Sequence, residues 1–180
     1  EYLIYNLIIL AGPVSLSFDR RVHFIGLWPK AVLASLITLV PFIIWDIAVT
    51  GRHWWFNEMY TMPVRFLGLP PAEWLFFISV PFACIFIWEV LKAYFSNRIF
   101  RSMQAIYLLS FPFYIGSVIL YYYGLEYTGL VAFALATTLV LDKLLAVRIL
   151  SMSRSLIQLA IVTGLILIFN GYLTARPVVL

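Results

Sequence analysis

The sequence has few charged residues, and it has almost no cysteine or histidine. Only 11% of its 180 residues are charged and 64% are hydrophobic, whereas about a quarter of the residues in a soluble domain are charged. The single cysteine, Cys84, excludes an intrachain disulfide, and we expect it to pack within an apolar helix. His23 and His53 lie in different predicted loops on opposite sides, so we predict no metal site. This composition excludes an ordinary soluble domain and indicates a membrane protein.

Long runs without charge occupy most of the chain. A membrane span needs roughly 20 mostly apolar residues. The runs are residues 2–18, 31–45, 74–88, 102–125, 127–141 and 155–175. The second run becomes long enough only by continuing through Asp46 to about Thr50, and the third only by including Glu89. We therefore predict an all-α, multi-pass transmembrane bundle with six helices in this chain.

Basic residues are unequally divided between the two sides of this bundle. Nine lie in the loops after helices 1, 3 and 5, and three lie on the opposite side. The first set is Arg20, Arg21, Lys30, Lys92, Arg98, Arg101, Lys143, Arg148 and Arg154, and the second is Arg52, Arg65 and Arg176. Because basic loops stay in the cytoplasm, we predict a multi-pass protein of the cytoplasmic membrane with an external amino terminus. The basic loops account for the net charge of +4, and no nucleic-acid partner is expected.

Residues 45–88 combine acids with clustered aromatics. Asp46 ends helix 2, and Glu73 begins helix 3 on the same side, beside Pro70 and Pro71, which favour a helix start. An acid that burial keeps protonated can protonate an olefin, and ring faces can stabilise a carbocation by roughly 2 kcal/mol or more each. We therefore expect the loop after helix 2 to fold back over the helix ends. The candidate substrate-contacting residues here are Trp45, Trp54, Trp55, Phe56, Asn57, Tyr60, Arg65, Trp74 and Phe77.

Each acid also has a purely structural explanation. Asp46 can cap a backbone or pair with Arg52 or Arg65, and Glu73 suits the first turn of a helix by its charge. Glu89 lies roughly 24 Å along the helix from Glu73 and has a lysine three residues later, which favours a surface ion pair. Tryptophans commonly anchor membrane interfaces. The acids and aromatics are therefore candidates, not an established site.

A faint internal repeat links the second and last helices. Asp46 and Thr50 close helix 2, and Asn170 and Thr174 close helix 6, with each pair on one helical face. We predict a single membrane domain, residues 1–180, with two weak parallel repeats. Repeat 1 covers about 1–95, a linker helix about 102–125, and partial repeat 2 about 126–180. Asn170 and Thr174 join the candidate substrate-contacting residues.

The run from Trp45 to Glu89 resembles the integral-membrane lycopene cyclases, the flavin-independent β-cyclase domains found as heterodimers or fused proteins. The later run from Asn170 to Val179 is similar to the start of that family's second-repeat motif. The first run carries the resemblance through Trp45-Asp46, the W-x-F-N pattern of Trp54 to Asn57, Tyr60, Arg65, the Pro70-x-x-Glu73 element with Trp74-Leu75-Phe76-Phe77, and the FIWE sequence ending at Glu89.

This resemblance implies acid-initiated, non-redox cyclisation of the ends of lycopene to β-ionone rings, by an enzyme of the intramolecular lyase or isomerase type. It implies Glu73, Asp46 and Glu89 as catalytic residues and no cofactor. The implied partners are lycopene or a related linear carotenoid and the lipid bilayer, with a homo-oligomer or carotenoid-pathway enzymes as further possibilities. The family pattern also predicts a seventh helix with a second acidic motif after Val179.

One departure from the family pattern leaves alternatives open. Ala72 stands where the family shows the first of two adjacent acids. An inactive carotenoid-binding homologue of the same fold is therefore a second interpretation. A small membrane transporter is a third and less favoured one, since transporters place ionisable groups near the middle of the membrane and this chain places them at helix ends.

Overall fold

Six α-helices lie in the described part of the chain. The computed structural model describes residues 1–175 and residue 178, with the backbone alone for residues 101–104, 170 and 172–174. The helices are α1 (Tyr2–Leu16), α2 (Trp28–Val49), α3 (Pro71–Tyr94), α4 (Ser110–Tyr122), α5 (Glu126–Leu144) and α6 (Ser153–Ala175). Short 3-10 segments precede α2, α4 and α6. The described residues contain isolated β-bridges but no strand. The predicted all-α membrane bundle is confirmed.

Four of the helical segments are long and apolar enough to cross a membrane, within the described part of the chain. They are Phe24–Val49, Pro71–Tyr94, Ala105–Tyr122 and Glu126–Leu144. The third includes part of the 3-10 segment Arg101–Leu109. Because a 3-10 helix rises about 2.0 Å per residue against 1.5 Å in an α-helix, this segment reaches roughly 30 Å despite its 13-residue α-helix. The shorter apolar helices are Tyr2–Leu16 and Ser153–Phe169, so spanning by these two stays a prediction.

Prolines place the ends of α2 and α3. Pro29 lies in the first turn of α2 and Pro71 begins α3, where the missing N–H of proline leaves no hydrogen bond unmade. Pro70 has an extended backbone and ends the loop that follows α2. The carboxyl end of α2 and the amino end of α3 are thus joined at one end of the helices, and Glu73 lies in the first turn of α3.

The chain divides into two compact units. The first contains Glu1–Phe95 and Gln158–Leu180, and therefore α1, α2, α3 and most of α6. The second, Ser96–Ile157, contains α4 and α5. The proposed sequence repeats divide the chain differently and stay a prediction.

In the first unit, the segment after α1 contributes a buried aromatic core. Phe24 is fully buried, with its ring centroid 5.3 Å from those of Phe82 and Phe86. The indole N–H of Trp28 donates to Ser17 Oγ at 2.9 Å. These contacts fix one end of α1, α2 and α3. The opposite end, where α2 finishes and α3 begins, holds the acidic residues.

In the second unit, α4 and α5 pack closely across a small residue. A Cβ atom at Gly129 would lie only 2.8 Å from the carbonyl oxygen of Ser117, so glycine permits the approach. Tyr107 donates to Asp142 Oδ2 at 2.6 Å. The same carboxylate accepts the backbone N–H of Ile149 at 3.0 Å. Asp142 therefore holds the segment that follows α5 in place by accepting these two hydrogen bonds.

Candidate functional site

Asp46 and Glu73 meet at the junction between α2 and α3. Asp46 lies in the last turn of α2 and is 2% exposed, and Glu73 is 7% exposed. The hydroxyl of Thr50 donates to Asp46 Oδ1 at 3.4 Å. The indole of Trp54 and the carboxyl of Glu73 also lie within hydrogen-bonding reach of Asp46. The structure thus brings together the two acids that sequence spacing placed on one side, and Trp54 with them.

Tyr2 completes this acid pair from a distant part of the sequence. Its hydroxyl donates to Glu73 Oε2 at 2.6 Å, across a sequence separation of 71 residues, and its side chain is 5% exposed. Asp46 Oδ2 is buried without a hydrogen-bond partner among the described residues. Two neighbouring carboxyl groups can hold one proton between them and transfer it. The pair is therefore suited to proton transfer.

A second polar contact holds α1 against α3 beneath the acid pair. Asn6 is fully buried, and its Nδ2 donates to the carbonyl oxygen of Ala72 at 3.0 Å. Its Oδ1 accepts a hydrogen bond from Ser79 Oγ at 2.8 Å. Inside a membrane bundle, such satisfied polar contacts fix the position of one helix against another. Asn6 thereby sets the height of Tyr2 relative to Glu73.

The loop after α2 partly covers the acid pair, as expected. Tyr2, Ala72 and Val178 form a buried cluster, against which Phe56 and Tyr60 pack. The backbone N–H of Asn57 donates to the carbonyl oxygen of Val178 at 2.9 Å. Phe56 and Tyr60 are thus partly buried, and Ala72, at 1% exposure, belongs to this cluster.

Other aromatic residues of the loop do not reach the acid pair. Trp55 is 53% exposed and Phe66 is 57% exposed, so the expected fold-back of the loop does not extend to these two rings. The indole of Trp74 donates to the carbonyl oxygen of Phe66 at 3.3 Å. The middle of the loop folds back, and its aromatic side chains contact the buried cluster that includes Tyr2. The turn near Phe66 lies at the surface.

The remaining candidates occupy separate places. The guanidinium of Arg65 donates to Thr61 Oγ1 at 3.0 Å. This contact differs from the ion pair with Asp46 that the sequence analysis considered. Phe77 stacks on Phe42 of α2, with ring centroids 5.8 Å apart. Trp45 is half-buried on α2. Neither the Arg65 hydrogen bond nor the Phe77 ring contact is with the acid pair.

Glu89 lies apart from the other two acids. It forms an ion pair with Lys92, with Nζ 2.9 Å from Oε2, near the opposite end of α3. The structure therefore does not bring Glu89 to Glu73, because Glu89 lies sixteen positions further along the helix, roughly 24 Å away. The side chains of Asn170 and Thr174 lie outside the described residues.

An apolar cavity of about 150 Å³ lies between α1, α3 and α6, within the first unit. Tyr2, Tyr5, Phe76 and Phe169 line it near the acid pair, and Tyr5 and Phe169 meet edge to face at 5.9 Å. Further along, Ala83 is among the lining residues. The aromatic rings that border this cavity are thus different from the tryptophans selected from the sequence.

Tyr2, Asn6 and Ser79 were missed from the sequence. Asn6 is the one amide in the first apolar run, and a polar residue in a span commonly faces protein, so it offered a usable indication. Tyr2 offered none, because a tyrosine at the end of a membrane helix is routine.

Comparison with known proteins gives one match. A family model described as lycopene cyclase matches residues 1–91, which include α1, α2, the loop with its aromatic residues and the acid pair. Neither a curated protein nor a solved structure matches the chain.

Proposed function

Because the chain belongs to the lycopene cyclase family, we propose that it converts linear ends of lycopene, or of a related carotenoid, to β-ionone rings within the membrane. The observation that best supports this proposal is the buried Asp46–Glu73 pair, with the Tyr2 hydroxyl on Glu73 at 2.6 Å. This pair lies beside an apolar cavity that Tyr2 also lines. An acid beside a hydrocarbon cavity is what olefin protonation requires.

The proposed reaction adds one proton and removes another. Glu73 gives a proton to the terminal double bond of the linear end, which leaves a tertiary carbocation. The neighbouring double bond supplies its electron pair to that carbon, closing a six-membered ring and moving the cation into the ring. Loss of a ring proton then forms the β-ionone double bond. Atoms and electrons balance without an oxidant or reductant, so the product is an isomer of the substrate.

The surroundings divide the roles between the two acids. Glu73 contacts Tyr2, a cavity-lining residue, and is therefore the proposed proton donor. Asp46 lies behind it, held by Thr50 and Trp54, and is the proposed partner that shares and returns the proton. The rings of Tyr2 and Phe76, 6.3 Å apart, border the place where the cation would form.

Neutral isosteres of the two acids test this mechanism. Glu73→Gln keeps the size and a hydrogen-bonding group but removes the transferable proton, so we expect ring formation to fall by about 10² to 10⁴-fold. Asp46→Asn should lower it in the same direction. The measurement is β-carotene and monocyclic product in lycopene-accumulating cells, normalised to folded protein. Glu58→Gln, a change on the exposed part of the loop, is the matched control. Unchanged product from both acid variants would remove these residues from the mechanism.

Glu89→Gln tests whether Glu73 or Glu89 is the proton donor. Retained activity would agree with its ion pair to Lys92 at the far end of α3. Lost activity, together with normal folding and lycopene retention, would move the proton donor to Glu89.

Ala72 supports a second candidate function, that of a homologue that binds carotenoid but has no cyclase activity. This residue replaces the first of the two adjacent acids that the sequence pattern led us to expect, and it is buried against Tyr2. Purified membranes incubated with lycopene distinguish the candidates, because a binding protein would retain lycopene unchanged, whereas a cyclase would release ring-containing product.

A further inference from the structure

We propose that the apolar groove between α1, α3 and α6 binds the conjugated chain of a linear carotenoid, with the reacting end against Tyr2. The identity of this occupant rests on the proposed function. The groove itself is a feature of the first unit of the chain, and each of its lining residues belongs to that unit.

The groove is long and narrow, as a linear hydrocarbon requires. On α3 its lining lies between Phe76 and Ile87, eleven positions apart, which span roughly 16 Å. On α6 it runs from Val162 to Phe169. The walls on α3 and α6 therefore extend along the helices toward the middle of the membrane and do not form a shallow surface depression.

Two contacts join α6 to the other helices of the groove, one to α3 and one to α1. Gln158 Nε2 donates to the carbonyl oxygen of Cys84 at 2.9 Å. Toward the acid pair, Phe169 meets Tyr5 of α1 edge to face. Between these contacts lie residues such as Val162 and Ala83, which face the cavity without filling it. The hydrogen bond and the ring contact thus lie on either side of the groove residues of α6 and join this helix to both other walls.

The chemistry of the walls selects a hydrocarbon. None of the described residues that line the groove is charged. The amide of Asn6 is used by Ala72 and Ser79, and the hydroxyl of Tyr2 is used by Glu73. An apolar cavity of about 150 Å³ accepts a hydrocarbon group, here the part of the carotenoid next to its reacting end.

Continuity with the acid pair identifies the reacting end. Tyr2 lines the groove and also donates to Glu73, so the groove ends at the proposed proton donor. The buried cluster of Tyr2, Ala72 and Val178 lies at this end. A lipid acyl chain that enters tail first ends in a methyl group, whereas a linear carotenoid ends in the double bond on which the proposed proton donor acts. This favours the carotenoid over a lipid chain as the occupant.

Filling the groove tests the inference. Ala83→Trp places a large ring between α3 and α6, whereas Ala160→Trp adds the same ring on the exposed side of α6. Both are made together with Glu73→Gln, which blocks the proposed reaction, and the absorbance of lycopene retained by purified protein is measured. We expect Ala83→Trp to retain at least about tenfold less lycopene than Ala160→Trp, the change that 1.4 kcal/mol of lost binding produces.

The outcomes separate the groove from the proposed reaction. Equal retention by the two variants would overturn the groove assignment, and so would loss of bound phospholipid from Ala83→Trp with lycopene unchanged. If the unsubstituted chain retains lycopene and forms no rings, but Ala83→Trp abolishes retention, the groove stands and the proposed reaction fails. Ala83→Leu, a smaller change, should lower retention in the same direction with a folded yield near that of the unsubstituted chain, which guards against misfolding of the tryptophan variant.

Discussion

Tyr2 is the residue whose importance is clearest from its contacts. This one residue makes three contacts, since its hydroxyl donates to Glu73, its ring lines the cavity, and its backbone N–H donates to the carbonyl oxygen of Tyr60 at 3.3 Å. The hydroxyl acts through Glu73, so Tyr2 is a positioning residue for the proton donor. Its removal should affect the reaction more than it affects binding.

We expect Tyr2→Phe to slow ring formation by about 10- to 100-fold, the effect of losing a hydrogen bond to an acidic group worth about 1.5–3 kcal/mol. Lycopene retention should change less than twofold, because the ring that lines the cavity is kept. Product formed per folded protein and lycopene retained are measured side by side. Tyr94→Phe, at the other end of α3, is the control. Equal losses of product and retention would show that the hydroxyl serves binding or folding and does not position Glu73.

At the scale of elements, close helix packing in the second unit depends on one glycine. A Cβ at Gly129 of α5 would lie 2.8 Å from the Ser117 carbonyl oxygen and 3.0 Å from the Tyr121 backbone nitrogen, whereas a Cβ at Gly116 of α4 meets nothing within 4 Å. The two glycines have the same chemistry in neighbouring helices. Only the space around them differs.

We therefore expect opposite effects from the same substitution. Gly129→Ala should destabilise the protein by about 1–3 kcal/mol, because backbone atoms of α4 must move away. Gly116→Ala should be neutral or stabilising by up to about 1 kcal/mol, because alanine favours helix. Thermal unfolding in detergent measures both. A stabilising Gly129→Ala would mean that α4 and α5 do not approach as closely as described.

At the scale of the whole molecule, the distribution of positive charge predicts orientation. Nine basic residues lie in loops of one side and three in those of the other, so the loop at Ser96 is predicted to face the cytoplasm and the loop at Met59 the exterior. Ser96 and Met59 are both exposed, so either position is accessible to a reagent on its own side.

Cysteine labelling in intact cells tests this orientation. We expect Met59→Cys to react with an impermeant thiol reagent, and Ser96→Cys to react only after the membrane is opened. The unsubstituted chain, with Cys84 alone, gives the background. The reverse pattern of labelling would invert the topology and put the acid pair at the cytoplasmic side.

The sequence by itself determined the helices, the membrane class and the placement of Asp46 and Glu73 on the same side. Long apolar runs leave the backbone no alternative to helix in lipid, and a helix that ends at Asp46 must be followed by one that starts near Glu73 on the same side. The motifs around these acids also indicated the family that the match over residues 1–91 shows.

Only the tertiary structure decided which residues surround the acids. The bond from Tyr2 to Glu73, the Asn6–Ser79 contact and the groove bounded by α6 join segments 71 or more residues apart. In a soluble helix, a polar face and an apolar face reveal which side is buried. In these helices the lipid-facing and protein-facing sides are both apolar, as the 60% exposure of Ile4 and the 59% exposure of Leu33 illustrate. The hydrophobic periodicity of the sequence therefore does not show which helix faces pack together. Only the packing of the helices brings Tyr2 to Glu73.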